Sequence, residues 1–103
     1  MWYINEKTKG FSALYKAIKN KSSAEKIVVY FNGSDLEYDC LTGPGLPVNG
    51  DSPWVRIHIF RYVESKEAII LSLNSQVKDH MTLIESRCGI TLSPVDKPKC
   101  IQD

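Results

Sequence analysis

The chain has 103 residues, of which 43% are hydrophobic and 24% are charged. These values are typical of one globular domain with its own core, and they exclude an intrinsically disordered chain. The formal net charge of +1 disfavours both a strongly acidic DNA mimic and a strongly basic nucleic-acid binder.

The N-terminal residues and the cysteines indicate a cytoplasmic protein. The first six residues, MWYINE, lack the layout of a signal peptide, and no apolar run reaches the length of a membrane span. Cys40, Cys88 and Cys100 form no CxxC pair, and an odd count favours free thiols over disulfides. We therefore expect one cytoplasmic domain over residues 1–103, without a membrane partner or a cofactor.

Charged residues are unevenly distributed along the chain. Residues 6–26 hold six lysines and two glutamates, whereas residues 27–55 hold four acidic residues and no basic one. Segregated charge of this kind steers association with oppositely charged partners more than it stabilises a fold. The acidic middle segment therefore predicts a surface that meets a basic partner.

The first half of the chain predicts one helix and one strand. Apolar residues recur with helical spacing from Phe11 to Ile18, which predicts a helix over about residues 11–21. The run KIVVYF at residues 26–31 is β-branched and aromatic, and it predicts a strand that enters a turn at Asn32-Gly33.

Two middle segments have two interpretations each. With period two, the three acidic residues of segment 34–41 share one face of a strand; as a helix, the segment has Ser34 as its N-cap and Gly43 after its end. Residues 42–53 contain three glycines and three prolines. They form either a candidate binding loop or a tolerated surface insertion.

The second half predicts a β-hairpin followed by a helix. Residues 54–63 alternate, with Val55, Ile57 and Ile59 on one face, and residues 67–73 are predicted as the returning strand. Asn74 and Ser75 then begin a helix that ends at Gly89.

Short strands are also predicted at residues 2–4 and 90–92, and an irregular tail from about residue 93. Together the elements predict an α+β fold. Its mainly antiparallel sheet has about four strands, and an N-terminal and a C-terminal helix pack on it.

No catalytic or metal-binding motif stands out in the sequence. His58 and His80 are candidates for an acid–base pair in RNA cleavage, although packing or surface placement explains each of them as well. Cys40 has no adjacent His or Asn signature of a nucleophile. The acidic residues of segment 34–41 lack the glycine-pivoted loop of an EF-hand. We therefore predict a non-enzymatic protein with no catalytic residue and no bound metal.

Nucleic-acid binding is the alternative function. Trp54, Arg56, Phe60 and Tyr62 share one predicted strand face, which mixes aromatic rings with arginine as RNA-stacking sheets do. The lysine-rich N-terminal helix is a second candidate for phosphate contacts. A helix or loop that covers the strand face explains its aromatic residues equally well. The need for a soluble helix surface explains the lysines.

The segment Asp39-Cys40-Leu41-Thr42-Gly43 resembles a segment of the barstar family, intracellular inhibitors of a secreted bacterial ribonuclease. Asp35 and Tyr38 fall where that family has an acidic residue and a tryptophan. Other fragments follow in the same order: Ile4-Asn5 precedes a helix with Ser12 and Leu14, and Cys88 precedes Ile90-Thr91.

The resemblance implies a three-layer α/β fold with a parallel three-stranded sheet as an alternative. It also implies two charged contacts, Asp35 and Asp39, and two aromatic neighbours, Tyr30 and Tyr38. We expect a protein that neutralises a cognate toxin, such as a ribonuclease, or another enzyme by occluding its active site. An unrelated small immunity protein with a similar acidic patch fits equally. The predicted partner-binding residues are Tyr30, Asp35, Glu37, Tyr38, Asp39 and Asp51.

Overall fold

The chain forms three helices and three strands in a computed structural model that describes residues 2–45 and 53–95. The predicted α+β class is confirmed. Asp51, most of the loop at residues 42–53 and the tail from residue 96 lie outside the described residues. The elements are α1 (Phe11–Asn20), β1 (Glu25–Phe31), β2 (Leu36–Thr42), β3 (Val55–Phe60), α2 (Lys66–Asp79) and α3 (Met81–Cys88).

The sheet has β1 at its centre, paired antiparallel with β2 on one side and with β3 on the other. As a result β2 and β3 are parallel to each other and form the two edges. The described residues form three strands rather than about four, because residues 67–73 are helical. Residues 2–4 contribute only a single bridge, from Trp2 to Val95, and residues 90–92 form no strand. The sheet is antiparallel, whereas the barstar resemblance implies a parallel one.

The predictions for the first half of the chain are confirmed, and the ambiguous segment 34–41 lies in a strand, β2. The turn before it explains this outcome. Asn32 Oδ1 accepts hydrogen bonds from the N–H groups of Ser34 and Asp35 at 3.0 and 2.8 Å, and Gly33 has a φ of 99°. Such a turn sends the chain back along β1, so the period-two interpretation holds.

The predicted strand at residues 67–73 is wrong, because these residues belong to α2. Ser65 begins the helix: its Oγ accepts a hydrogen bond from the Ala68 N–H at 3.2 Å. Glu67 adds an acidic side chain in the first turn, where the helix dipole favours it. Asn74 and Ser75, predicted to begin a helix, lie well inside α2.

The predicted C-terminal helix is interrupted at His80, which separates α2 from α3. The His80 N–H bonds back to Gln76 and Val77, and its carbonyl oxygen accepts the first bond of α3, from Ile84. Gly89 ends α3 with a φ of 64°, as the sequence predicts.

A β-bulge in β3 overturns the predicted faces of that strand. Val29 pairs with His58 and Tyr30 pairs with Arg56, so Ile57 is an extra residue in the ladder. The extra residue shifts the alternation beyond it. Val55, Ile57 and Phe60 are buried, whereas Ile59 lies opposite Val28 on the other side of the sheet.

All three helices pack on the same side of the sheet. Their buried apolar side chains form one cluster with Ile27, Val29 and Phe31 of β1. Val28 is also fully buried, but it lies on the opposite side of β1 and outside this cluster. The fold therefore has two layers, helices on a sheet, with one side of the sheet free of described helices.

A buried asparagine joins the N-terminal segment to α2. Asn74 is 5% exposed, and its Oδ1 accepts hydrogen bonds from the N–H groups of Tyr3 and Ile4 at 2.5 and 2.9 Å. Its Nδ2 donates to the carbonyl oxygens of Ile4 and Ile70 at 2.8 and 2.9 Å. One side chain thus provides hydrogen-bond partners for both the N–H groups and a carbonyl oxygen of a buried backbone segment.

Replacing Asn74 with alanine should lower the free energy of unfolding by about 2–4 kcal/mol, because buried backbone groups lose their partners. Urea denaturation of the wild type, Asn74→Ala and Ser75→Ala measures the effect. The exposed neighbour Ser75 serves as the control, and its variant should stay within about 0.5 kcal/mol of the wild type. Equal stability of all three proteins would show that the network contributes nothing.

Candidate functional site

The side of the sheet opposite the helices is the candidate site, and we call it the outer face. Cross-strand pairing places Tyr30 between Glu37 and Arg56. In the next row, Val28 lies between Asp39 and Ile59. Residues paired across antiparallel strands share one face, so these six side chains form one surface. The remaining residues of the outer face are Lys26 and Leu41.

Tyr30 interacts with charges on both neighbouring strands. Burial of the phenol, a hydrogen bond with the Asp39 carboxylate and the negative charge of Asp39 all raise the pKa of Tyr30. The positive charge of Arg56 lowers it in part. The phenol therefore stays protonated at neutral pH and lies between a carboxylate and a guanidinium.

A layer of aliphatic side chains lies beneath these polar groups. Val28 is fully buried, and Leu41 and Ile59 are half-buried. Lys26 is only 7% exposed, because its Nζ donates to the Gly43 carbonyl oxygen at 2.9 Å and its stem lies on the sheet. The ammonium group thus has a backbone partner at the end of β2, while Glu37 and Asp39 are exposed.

The structure brings together three of the six predicted partner-binding residues: Tyr30, Glu37 and Asp39. It adds Arg56, which the sequence did not assign to this surface. The strand pattern grouped Arg56 with the aromatic residues that follow it, but the bulge at Ile57 separates them. A bulge leaves no signal in the alternation itself, so the arginine was missed.

Two of the other predicted residues, Asp35 and Tyr38, lie elsewhere. Asp35 lies in the β1–β2 turn, where its carboxylate is 3.8 Å from Lys9 Nζ. Tyr38 lies on the helix side of β2 and packs against the core. Asp51 is not among the described residues.

The two histidines proposed as an acid–base pair line one groove beside β3. Burial lowers the pKa of His58, and Glu64 partly offsets this effect. The His58 ring also meets Phe60 edge to face, with 4.5 Å between ring centroids. His80 lies at the α2–α3 junction, with its Nδ1 2.7 Å from the Gln76 carbonyl oxygen.

Cys40 is exposed at the edge of the sheet. Burial and the nearby carboxylates of Glu25 and Asp39 raise its pKa. This direction is opposite to the one that activates a cysteine nucleophile, because the thiolate becomes scarcer.

Several lysines near α1 have partners within the protein. The Nζ atoms of Lys19 and Lys66 lie 5.6 and 5.1 Å from the centre of the Tyr15 ring. Lys21 Nζ donates to the Arg61 carbonyl oxygen at 2.8 Å. The lysine-rich segment is thus only partly available to a ligand.

Comparisons with protein-family models, curated proteins and solved structures found no match to this chain. Among the described residues, no three His, Cys, Asp or Glu side chains are grouped so that they could hold a metal ion. None of the helices in the described part is both long and apolar enough to cross a bilayer.

Replacing Asp39 with asparagine should lower the pKa of Tyr30, because one negative charge beside the phenol is removed. NMR titration of ring-labelled tyrosines measures the change. Glu67→Gln, which removes an exposed carboxylate from α2, serves as the control and should leave Tyr30 unaffected. An unchanged Tyr30 pKa in Asp39→Asn would contradict the contact.

The lowered pKa of His58 predicts a pH dependence of stability. As the pH falls below about 6.5, the unfolded chain takes up a proton at this position before the folded chain does, so the native state loses stability. His58→Gln removes this contribution. Urea denaturation at about pH 7.5 and about pH 5.5 should show a smaller loss for the variant than for the wild type. Equal losses would mean that folding leaves this imidazole unperturbed.

Proposed function

We propose that this chain is a non-enzymatic intracellular inhibitor that binds a cognate protein through its outer face and occludes the active site of that protein. The observation that carries the proposal is the convergence of Tyr30, Glu37 and Asp39 on a side of the sheet that no described helix covers.

The composition of the outer face suits a protein partner. Protein interfaces have an apolar centre and a polar rim, and tyrosine and arginine are frequent among the residues that dominate binding. The outer face has an aliphatic layer around Val28 and Ile59, and Tyr30 and Arg56 lie above this layer. A rigid sheet also loses little conformational entropy on binding, because its backbone is already ordered.

The charge of the surface favours a basic partner. Glu37 and Asp39 are both exposed, and β1 and β2 contribute one lysine to this face, whose Nζ donates to a backbone carbonyl oxygen. Close charge pairs across an interface can contribute about 1.5–7 kcal/mol of coupling, and complementary fields accelerate association. Arg56 adds a site for one acidic group of the partner.

A ribonuclease fits this description as the target class. An enzyme that binds RNA phosphates needs a basic active site, and an acidic, aromatic surface is complementary to it. The barstar-like segment of β2 contains Asp39, one of the two carboxylates on the outer face. Toxin neutralisation by occlusion is therefore the activity that we propose.

The test uses a partner isolated from a lysate of the source organism on the immobilised chain and then purified. Stoichiometric wild-type chain should abolish the enzymatic activity of this partner. The double variant Glu37→Gln/Asp39→Asn should associate about tenfold more slowly at low salt, because the attractive field is removed. Stopped-flow measurements at low and high salt give the rates.

The matched control is Glu67→Gln/Asp79→Asn, which removes the same charge from exposed positions of α2. Its association rate should stay within about twofold of the wild-type rate, because α2 lies on the other side of the sheet. Equal slowing in both double variants would mean that only net charge matters, and the outer face would lose its role. A partner that remains fully active in the complex would contradict inhibition.

A further inference from the structure

A groove of about 420 Å³ runs along the outer edge of β3, between that strand and the end of α2. The bulged residue Ile57 is itself part of the lining, with its neighbours Arg56 and His58 on either side of the bulge. The groove is lined by Arg56, His58, Arg61, Gln76 and His80, together with two isoleucines of β3.

The lining groups are suited to an anion. They comprise two guanidinium groups, two imidazoles and an amide, and no carboxylate is among them. Since a carbonyl oxygen only accepts, the contact of His80 Nδ1 with the Gln76 oxygen puts a proton on Nδ1. Nε2 of the neutral ring then only accepts, so the hydrogen-bond donors for an anion are the guanidinium groups and the amide. Glu64 is close enough to His58 to affect its pKa but does not line the groove.

A second groove, of about 260 Å³, shares Arg61 with the first. It is lined by Lys21, Ser22, Ser23, Tyr62 and Val63 in addition to Arg61. Lys21 Nζ donates to the carbonyl oxygens of Ser22 and Arg61 at 3.1 and 2.8 Å, which holds its charge beside the shared arginine. The two grooves form a basic track, with Arg61 at the junction.

An exposed aromatic ring lies on this track. Tyr62 is 76% exposed, and Val63 beside it is 55% exposed. An aromatic side chain this exposed has no role in the core. Beside basic groups, it offers a stacking surface for a nucleobase, and stacking on one ring is worth about 1–3 kcal/mol per base.

We propose that the two grooves bind a single-stranded nucleic acid, with phosphates at Arg56, Arg61 and Lys21 and a base stacked on Tyr62. Positive grooves that follow the backbone, combined with exposed aromatic rings, are how proteins bind single strands without reading sequence. The site shares Arg56 and Tyr62 with the predicted strand face and Lys21 with the predicted lysine-rich helix, and Arg61 joins them. The two proposed sites share Arg56, whereas Arg61, Lys21 and Tyr62 lie off the outer face and belong to the grooves alone.

The experiment measures fluorescence anisotropy of a labelled single-stranded RNA of about ten nucleotides at about 50 mM and about 200 mM salt. Wild-type affinity should fall steeply with salt. Arg61→Gln and Lys21→Gln should each weaken binding by about fivefold or more. Each should also reduce the slope of log K against log salt concentration by about 0.7. Tyr62→Ala should weaken binding by at least about fivefold, whereas Tyr62→Phe keeps the ring and should match the wild type.

Lys7→Gln is the control, because it removes the same charge from an exposed residue beyond the other end of α1. It should bind RNA like the wild type. Absence of RNA binding at the lower salt overturns the proposal, and so does an equal effect of Lys7→Gln and Arg61→Gln. Inorganic phosphate competing as well as the RNA does would also overturn it, because the site would then hold a lone anion. Arg61→Gln should leave partner inhibition intact, so the two proposals fail separately.

Discussion

The hydrogen bonds of Asn74 fix how the N-terminal segment meets the rest of the fold. Tyr3 and Ile4 are buried, yet they belong to no strand that could satisfy their backbone groups. The side-chain amide of Asn74 does what a neighbouring strand would do: its oxygen accepts from both N–H groups, and its nitrogen donates to the Ile4 carbonyl oxygen. Because a buried polar group without a partner costs about 1–3 kcal/mol, this contact determines where the segment leading into α1 can lie.

A second constraint, the bulge at Ile57, connects the fold with both proposed surfaces. Before the bulge, Arg56 faces outward beside Tyr30; after it, His58 and Phe60 lie on the helix side. One extra residue thus divides what would otherwise be a single strand face. The outer face and the basic groove both include Arg56, so they meet at this strand but present different chemistry.

The sequence predicts those elements whose signal is local. The apolar spacing of α1, the β-branched run of β1 and the turn at Asn32-Gly33 each determine their own structure. The strand predicted at residues 67–73 was wrong because the apolar run EAIILSL suits a buried strand as well as a helix. The group that favours the helix, the hydroxyl of Ser65, precedes the run. The bulge follows from pairing with β1, so no pattern within β3 reveals it.

The candidate site was predictable to the same extent. Glu37 and Asp39 share a face because they are two residues apart on a strand, and this spacing is visible in the sequence. That Tyr30 is their neighbour depends on the register of β1 and β2, which the turn sets. The two histidines line one groove because α2 ends beside β3, a tertiary contact that local spacing does not encode.

The separation of interacting segments along the chain bears on the order in which the fold assembles. The β1–β2 hairpin closes over a turn of a few residues, whereas the Asn74 contacts join residues 70 and 71 positions apart. Loop-closure entropy favours contacts between near neighbours first. The hairpin, which contains Tyr30, Glu37 and Asp39, can therefore form before any helix docks, and the N-terminal segment can find its place only once α2 is in position.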